Sequence, residues 1–151
     1  MEPCLHVVDV EVEGVRRPAA DDEVVVVVPQ SHPWAAVEEI DLDEFVSTPL
    51  VMRDPGADSR RTVEAVLRPL GLSLSPPLAE IGNTAAAKDA ALHQCVPVLL
   101  SRLTMGPADE RLLVRRVAGL RFPRRFVLLY STEEGLSPMA RALVEHLQAP
   151  R

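Results

Sequence analysis

Two short stretches of this chain place residues where anion chemistry is possible. The first is Arg53-Asp54-Pro55-Gly56-Ala57-Asp58-Ser59-Arg60. An apolar run, Leu50-Val51-Met52, ends there, and a helical spacing of Val63, Val66, Leu67 and Leu70 begins after it. Unpaired N–H groups at a helix start, with Arg60 and Arg61 beside them, suit a carboxylate or phosphate. Capping by Asp58 or Ser59, with the arginines in solvent, explains the same residues and is favoured by sequence alone. The second stretch is Gly82-Asn83-Thr84, which closes the apolar run Leu78–Ile81 and opens an alanine-rich segment. Asn83 and Thr84 are good capping residues, and a ligand carboxylate competes for the same N–H groups. In an open α/β sheet ligands collect at the C-terminal ends of strands, and both loops have that placement.

Other reactive types are scattered. His6, His32, His93 and His146 show no metal-ligand spacing with a third donor. His93-Gln94-Cys95 has donor atoms, but a helix end leading into a strand accounts for it better. His32, between Ser31 and Pro33, reads as a polar turn residue rather than a ligand contact, with Trp34 as an anchor for that turn. There is no phosphate-loop pattern, no Gly-x-Gly-x-x-Gly, no serine between glycines as in a nucleophile elbow, and no recognisable acid–base carboxylate pair. The expectation is a protein that does no catalysis and needs no cofactor or metal.

The elements that must hold these loops follow from pattern. Val7–Val12 alternates loosely and predicts a strand. Gly14–Asp22, with Pro18, predicts a polar connection. Val24–Val28 is β-branched throughout, as for a strand buried on both faces in a parallel sheet. Pro29–Trp34 predicts a turn. Asp41 and Glu44 have capping-box spacing, and only a short helix fits before Pro49. A helix through Val63–Leu70 should end early at Pro69 and stop at Gly71. Further strands are expected at Leu78–Ile81, Val96–Leu100, Leu112–Val114 and Phe126–Tyr130, with a helix over about Ala85–Leu92. The last helix has Ser137 as N-cap, Pro138 at its first position, and Met139, Leu143 and Leu147 on one stripe. Alternating strands and helices predict an α/β sheet.

The totals set bounds. The chain has 151 residues, 47% of them hydrophobic, 25% charged and 3% aromatic, so one domain with a Val, Leu, Ala and Ile core is expected. A formal net charge of -6 argues against a dedicated nucleic-acid surface. The arginine-rich stretch Arg111–Arg125 reads better as the charged face of strands than as a phosphate contact. Cys4 and Cys95 are no disulfide framework and fit a reducing compartment. The start lacks the pattern of a signal peptide, and the longest pure aliphatic run, Val24–Val28, falls far short of the ~20 residues of a membrane helix. The expectation is a soluble cytoplasmic protein.

Four segments, in order, resemble one family. Glu23–Ala35 is similar to the strand and His-Pro turn of LysR-type transcriptional regulators. Thr48-Pro49-Leu50-Val51-Met52-Arg53-Asp54-Pro55-Gly56 resembles that family's TPLILREPGSGTR loop. Ile81–Lys88 resembles its LGSTEAIK helix start, and Leu136–Leu143 its LSPAARAFL final helix. The resemblance covers roughly Val7 to Gln148. It implies an α/β, periplasmic-binding-protein-like (type 2) effector domain of two α/β subdomains, the first incomplete. Residues 21–122 would be the second subdomain, and 1–20 and 123–148 remnants of the first with crossover strands.

By the same resemblance the function is a small-molecule sensor, binding an anionic metabolite in a cleft between subdomains. Its contacts would be Arg53, Asp54, Gly56, Ala57, Ser59, Arg60, Asn83, Thr84, Val96, Pro97 and Val98. A homodimer is expected, with DNA contact only through a helix-turn-helix that this chain lacks, and no membrane contact. The family's GLGI loop reads Gln94-Cys95-Val96-Pro97, without glycine, and Ala57 stands where the family has a serine. These departures keep open a ligand-indifferent dimerisation protein derived from such a regulator, or, less favoured, a solute-binding protein.

Overall fold

The structure is a computed structural model that describes residues 13–149. The strand expected at Val7–Val12 lies outside the described residues. The chain divides into two compact units, one of residues 1–22 and 124–151, the other of Glu23–Pro123.

The larger unit carries most of the sheet. Its strands belong to β1 (Val15–Pro29), β2 (Glu39–Ile40), β3 (Val51–Met52), β4 (Ala79–Glu80), β5 (Val98–Ser101), β6 (Leu112–Val117) and β7 (Phe122–Tyr130), in the order β2-β6-β1-β5-β3-β4, with β7 on β1. Chain continuity carries β1 and β7 across the boundary between the units. β3 runs parallel to β4 and β5, and β2 parallel to β6.

The valine run of β1 is buried on both faces, as its composition predicts, but its neighbours β5 and β6 are antiparallel to it. The expected parallel setting is therefore corrected. A run of Val reports that both faces are covered and carries nothing about strand direction. Alternate valines supply two cores. Val24, Val26 and Val28 pack with Phe45, Val63 and Leu67. Val25 and Val27 pack with Ala87 and Ala91 on the other face. Helices α1 (Leu42–Ser47) and α2 (Asp58–Leu67) thus cover one side and α3 (Thr84–Gln94) the other. Each buried valine contributes about 1.5–3 kcal/mol relative to an exposed one.

Local chemistry sets the helix ends. Asp41 accepts from the N–H groups of Asp43 and Glu44 at the start of α1. Glu44 forms no return arm of a capping box, because its carboxylate takes the Trp34 indole N–H at 2.6 Å. That bond anchors the Pro29–Trp34 turn, which ends in a 3-10 turn over Pro33–Ala36. Helix α2 gives way to a 3-10 turn at Arg68–Leu70, and Gly71 closes it at φ 70, a left-handed conformation that glycine adopts without strain.

Within the smaller unit the expected polar connection Gly14–Asp22 is corrected: Val15–Asp22 is the first half of β1. Half of its residues are exposed and only Asp22 is buried, so no apolar alternation marks them, and Pro18 is tolerated where no ladder N–H is needed. Gly14, at φ +152, lies so close to the Tyr130 carbonyl that a Cβ would meet it at 2.7 Å. Helix α4 (Pro138–Gln148) has its Ser137 cap on the Ala140 N–H, and buries none of its residues among those described. Met139 is 84% exposed and Leu143 53%.

Candidate functional site

Strands β3 and β4 end side by side, and each hands the chain to a helix. Two contacts join their loops. Arg53 Nη1 donates to Thr84 Oγ1 at 3.2 Å. The Asp54 carboxylate lies against Gly82, where a Cβ would approach Oδ2 to 3.2 Å. The two stretches picked out by helix-end chemistry are therefore one site.

Its two helix starts differ. Asn83 caps α3 by accepting from the Ala86 N–H at 3.1 Å, as expected. The start of α2 has no such cap. Ala57 is its N-cap residue, with no side-chain cap hydrogen bond, so the expected capping by Asp58 or Ser59 is corrected. Both of those residues sit inside the first turn and are buried. The Ala57 N–H is taken by the Asp54 carbonyl at 2.7 Å, and Arg61 donates to the Gly56 carbonyl at 3.0 Å, which closes the loop. A Cβ on Gly56 would meet nothing within 4 Å, so this loop faces open space.

The arginines divide by role. Arg60 is held by Glu64 at 3.0 Å and Glu80 at 2.8 Å, and its hydrogen bond to Glu80 above all raises its pKa. Its charge is satisfied, and it ties α2 to β4. Arg53 is not satisfied: its Nε is buried and has no acceptor. A buried donor without a partner costs about 1–3 kcal/mol.

The third expected cluster stands elsewhere. Val51 lies opposite Val98 in parallel register, and the Val51 N–H donates to the Pro97 carbonyl at 2.9 Å. Val96–Val98 therefore sits where β3 and β5 begin, whereas Arg53, Asn83 and Thr84 sit where β3 and β4 finish. Pro97 and Val98 are buried and serve the core. The residues that share the finishing end are Ser101 and Arg102, which sequence reading passed over. Applying the strand-end rule to β5 would have found them.

The arginine-rich stretch is mostly spoken for. Arg115 donates to the Trp34 and Ala35 carbonyls, Arg116 pairs with Glu23, Arg121 with Glu39, Arg124 with Asp22 and Arg125 with Asp21. His32 caps its own 3-10 turn through Nδ1, which accepts from the Trp34 N–H at 3.1 Å. Among the described residues no group of three or more His, Cys, Asp or Glu could hold a metal, and no helix is long and apolar enough to cross a membrane.

Residues 9–150 match the LysR substrate binding domain. The chain belongs to that family. Relatives of the LysR domain include an uncharacterized HTH-type transcriptional regulator of Mycobacterium tuberculosis, 35% identical over 130 residues, covering 82% of this chain and 41% of the relative. The HTH-type transcriptional regulator CbbR of Xanthobacter flavus is 27% identical over 139 residues, covering 90% of this chain and 42% of its own length. The chain thus spans about two fifths of these relatives. The regulatory domain of Synechocystis CcmR, in complex with 2-PG, superposes with a TM-score of 0.76 at 21% identity, over 91% of this chain and 67% of that one. The effector binding domain of QuiR, in complex with shikimate, gives 0.71 at 16% identity, over 93% and 66%. The LysR domain fold, periplasmic-binding-protein-like and mixed α/β, is that of this chain. The family is one of regulator effector domains, not of enzymes.

Proposed function

We propose that this LysR domain is the sensor of a transcriptional regulator and binds a small anionic metabolite at the joined loops Arg53–Ser59 and Asn83–Thr84. The observation that carries the reading is Arg53: Thr84 holds one nitrogen of its guanidinium, and its Nε is buried without an acceptor beside the start of α3. The start of α2, with no side-chain cap on Ala57, adds the positive end of a helix dipole. Small molecules in the CcmR and QuiR domains support the same use of the fold. The HTH-type names of the relatives support DNA contact through a helix-turn-helix segment, and with it the reading of a cytoplasmic regulator. A homodimer is the proposed assembly, and the exposed Met139 and Leu143 of α4 favour it. The same face supports the second reading, a dimerisation protein indifferent to ligand.

A thermal-unfolding screen against small carboxylates and phosphates tests the proposal. A ligand at 100 times its Kd adds about 2.7 kcal/mol, a rise of roughly 5–10 °C for a chain this size. The rise is expected in the wild-type chain and lost in Arg53→Met. A shift that survives Arg53→Met removes the site. A clean melt with no shift across the panel, together with a stable dimer, favours the second reading.

A further inference from the structure

A groove of about 640 Å³ opens in the larger unit, lined by Glu38, Glu39, Arg102, Val114, Arg116 and Arg121 and by none of the Arg53-loop residues. The strands set its charges in order. Glu39 of β2 stands opposite Arg116 of β6. Arg102 follows Ser101, which stands opposite Val24 at the start of the valine run.

Most of these charges are already matched. Arg116 binds Glu23 through both Nε and Nη2, at 3.0 and 2.8 Å. Arg121 binds Glu39 at 2.9 Å. Two charges remain, one of each sign: among the described residues neither Arg102 nor Glu38 makes an ion pair or a side-chain hydrogen bond. Arg102 is nevertheless close enough to act on Glu23, the partner of Arg116. Glu23 is held below the usual carboxylate range chiefly by its hydrogen bond to Arg116, and Arg121 and Arg102 add to that pull.

We propose that this groove is a second ligand site, which takes a zwitterion of amino-acid or peptide type, with its carboxylate on Arg102 and its ammonium on Glu38. A plain anion would meet Glu38 and Glu39, and a plain cation would meet three guanidinium groups. A ligand carrying both charges answers the two that are unmatched. The planar guanidinium fork suits a carboxylate in two-point contact. The volume lies in the range of about 300–1,000 Å³ usual for small-ligand sites, which leaves room for a di- or tripeptide as well as a free amino acid. Val114 is the only apolar residue of the lining, so the ligand body is polar. The groove shares no lining residue with the Arg53 loops, and its proposed ligand does not rest on the reading of those loops.

Calorimetric titration of the whole chain with the free amino acids, and separately with glycine di- and tripeptides, tests it. Saturable binding is expected from at least one set, and which set binds identifies the source. Arg102→Gln and amidation of the probe's carboxylate should each weaken binding about tenfold or more. Glu38→Gln and N-acetylation of the probe should do the same, and each blocked probe should be indifferent to its matching variant. Both residues are exposed, so both variants fold, which their melting confirms. Arg53→Met leaves this binding unchanged even though it removes the other site. Binding by neither set, binding indifferent to Arg102→Gln, or an acetylated probe that binds as well as the free one would overturn the proposal.

Discussion

Asp22 and Arg124 make the same kind of ion pair as their sequence neighbours Asp21 and Arg125, in a different environment, and the difference sets a measurable magnitude. Arg124 Nε lies 2.6 Å from Asp22 Oδ2, with side-chain exposures of 8% and 0%. The guanidinium carbon also sits 4.9 Å from the centre of the Phe126 ring. Arg125 and Asp21 are 2.7 Å apart but 63% and 77% exposed. Asp22→Ala takes a 2.6 Å charge-to-charge hydrogen bond from a guanidinium held out of water, so it should cost about 3–5 kcal/mol. Removing Asp21 exposes nothing new to a low dielectric, and solvent screens what is lost. The assay is urea unfolding. With a slope of about 2 kcal/mol per molar, Asp22→Ala should lower the midpoint by about 2 M, and Asp21→Ala should leave it in place. The double change Asp22→Leu with Arg124→Met should restore most of the loss, because a packed apolar pair carries no desolvation penalty. A loss below about 1 kcal/mol for Asp22→Ala, or a double variant as weak as the single, would refute the reasoning.

Two further expectations are local. Burial lowers the pKa of His32 from 6.5, with Glu44 opposing in part. The unfolded chain then takes up the proton first, so the stability tied to a neutral His32 is complete above the unfolded value and declines as pH falls below it. Protonation also removes the Nδ1 lone pair that caps Trp34, whose ring lies 5.2 Å away, so Trp34 fluorescence should report the loss as pH falls below the ordinary histidine range. His32→Asn keeps a cap and should flatten that part of the profile; an unchanged profile would refute the assignment. Cys95 ends α3 in the left-handed region at φ 54. An L-residue there costs about 1–2 kcal/mol and glycine's extra chain entropy about 0.5–1, so Cys95→Gly should gain about 0.5–1 kcal/mol in the same urea assay, whereas Cys95→Ala should not. A loss on Cys95→Gly would show that the 3.2 Å contact with the Ser31 hydroxyl outweighs the strain.

Much of the fold is legible in the sequence because its signals are local. Asp41, Asn83 and Ser137 announce helix starts, and Gly71 a stop, and each does its job through a hydrogen bond or a dihedral within a few residues. Val24–Val28 is legible as a buried strand, but not in its direction, since direction is decided by partners far along the chain at Val98–Ser101 and Leu112–Arg115. Val15–Asp22 is illegible because an exposed strand needs no apolar alternation. The site is half legible for the same reason. That Arg53 and Thr84 carry polar chemistry at strand ends can be read locally, but that Val96–Val98 belongs to the other end depends on the register of Val51 with Val98.

The two helix starts at the site explain why one polar loop is structure and the other is available. Asn83 spends its side chain on the Ala86 N–H, so the start of α3 is already complete, and Thr84 is left to receive Arg53. At α2 the capping position holds Ala57, which has no side-chain oxygen, while Asp58 and Ser59 are drawn into the first turn and buried. Arg60, the cation that sequence proximity would have assigned to a ligand, is turned away by Glu64 and Glu80. What remains for an anion is Arg53, fixed at one nitrogen and unsatisfied at another. The fold thus fixes, through Thr84, a guanidinium that these two loops leave incompletely matched, so that a ligand oxygen arriving there loses little to the ordering of the side chain that binds it.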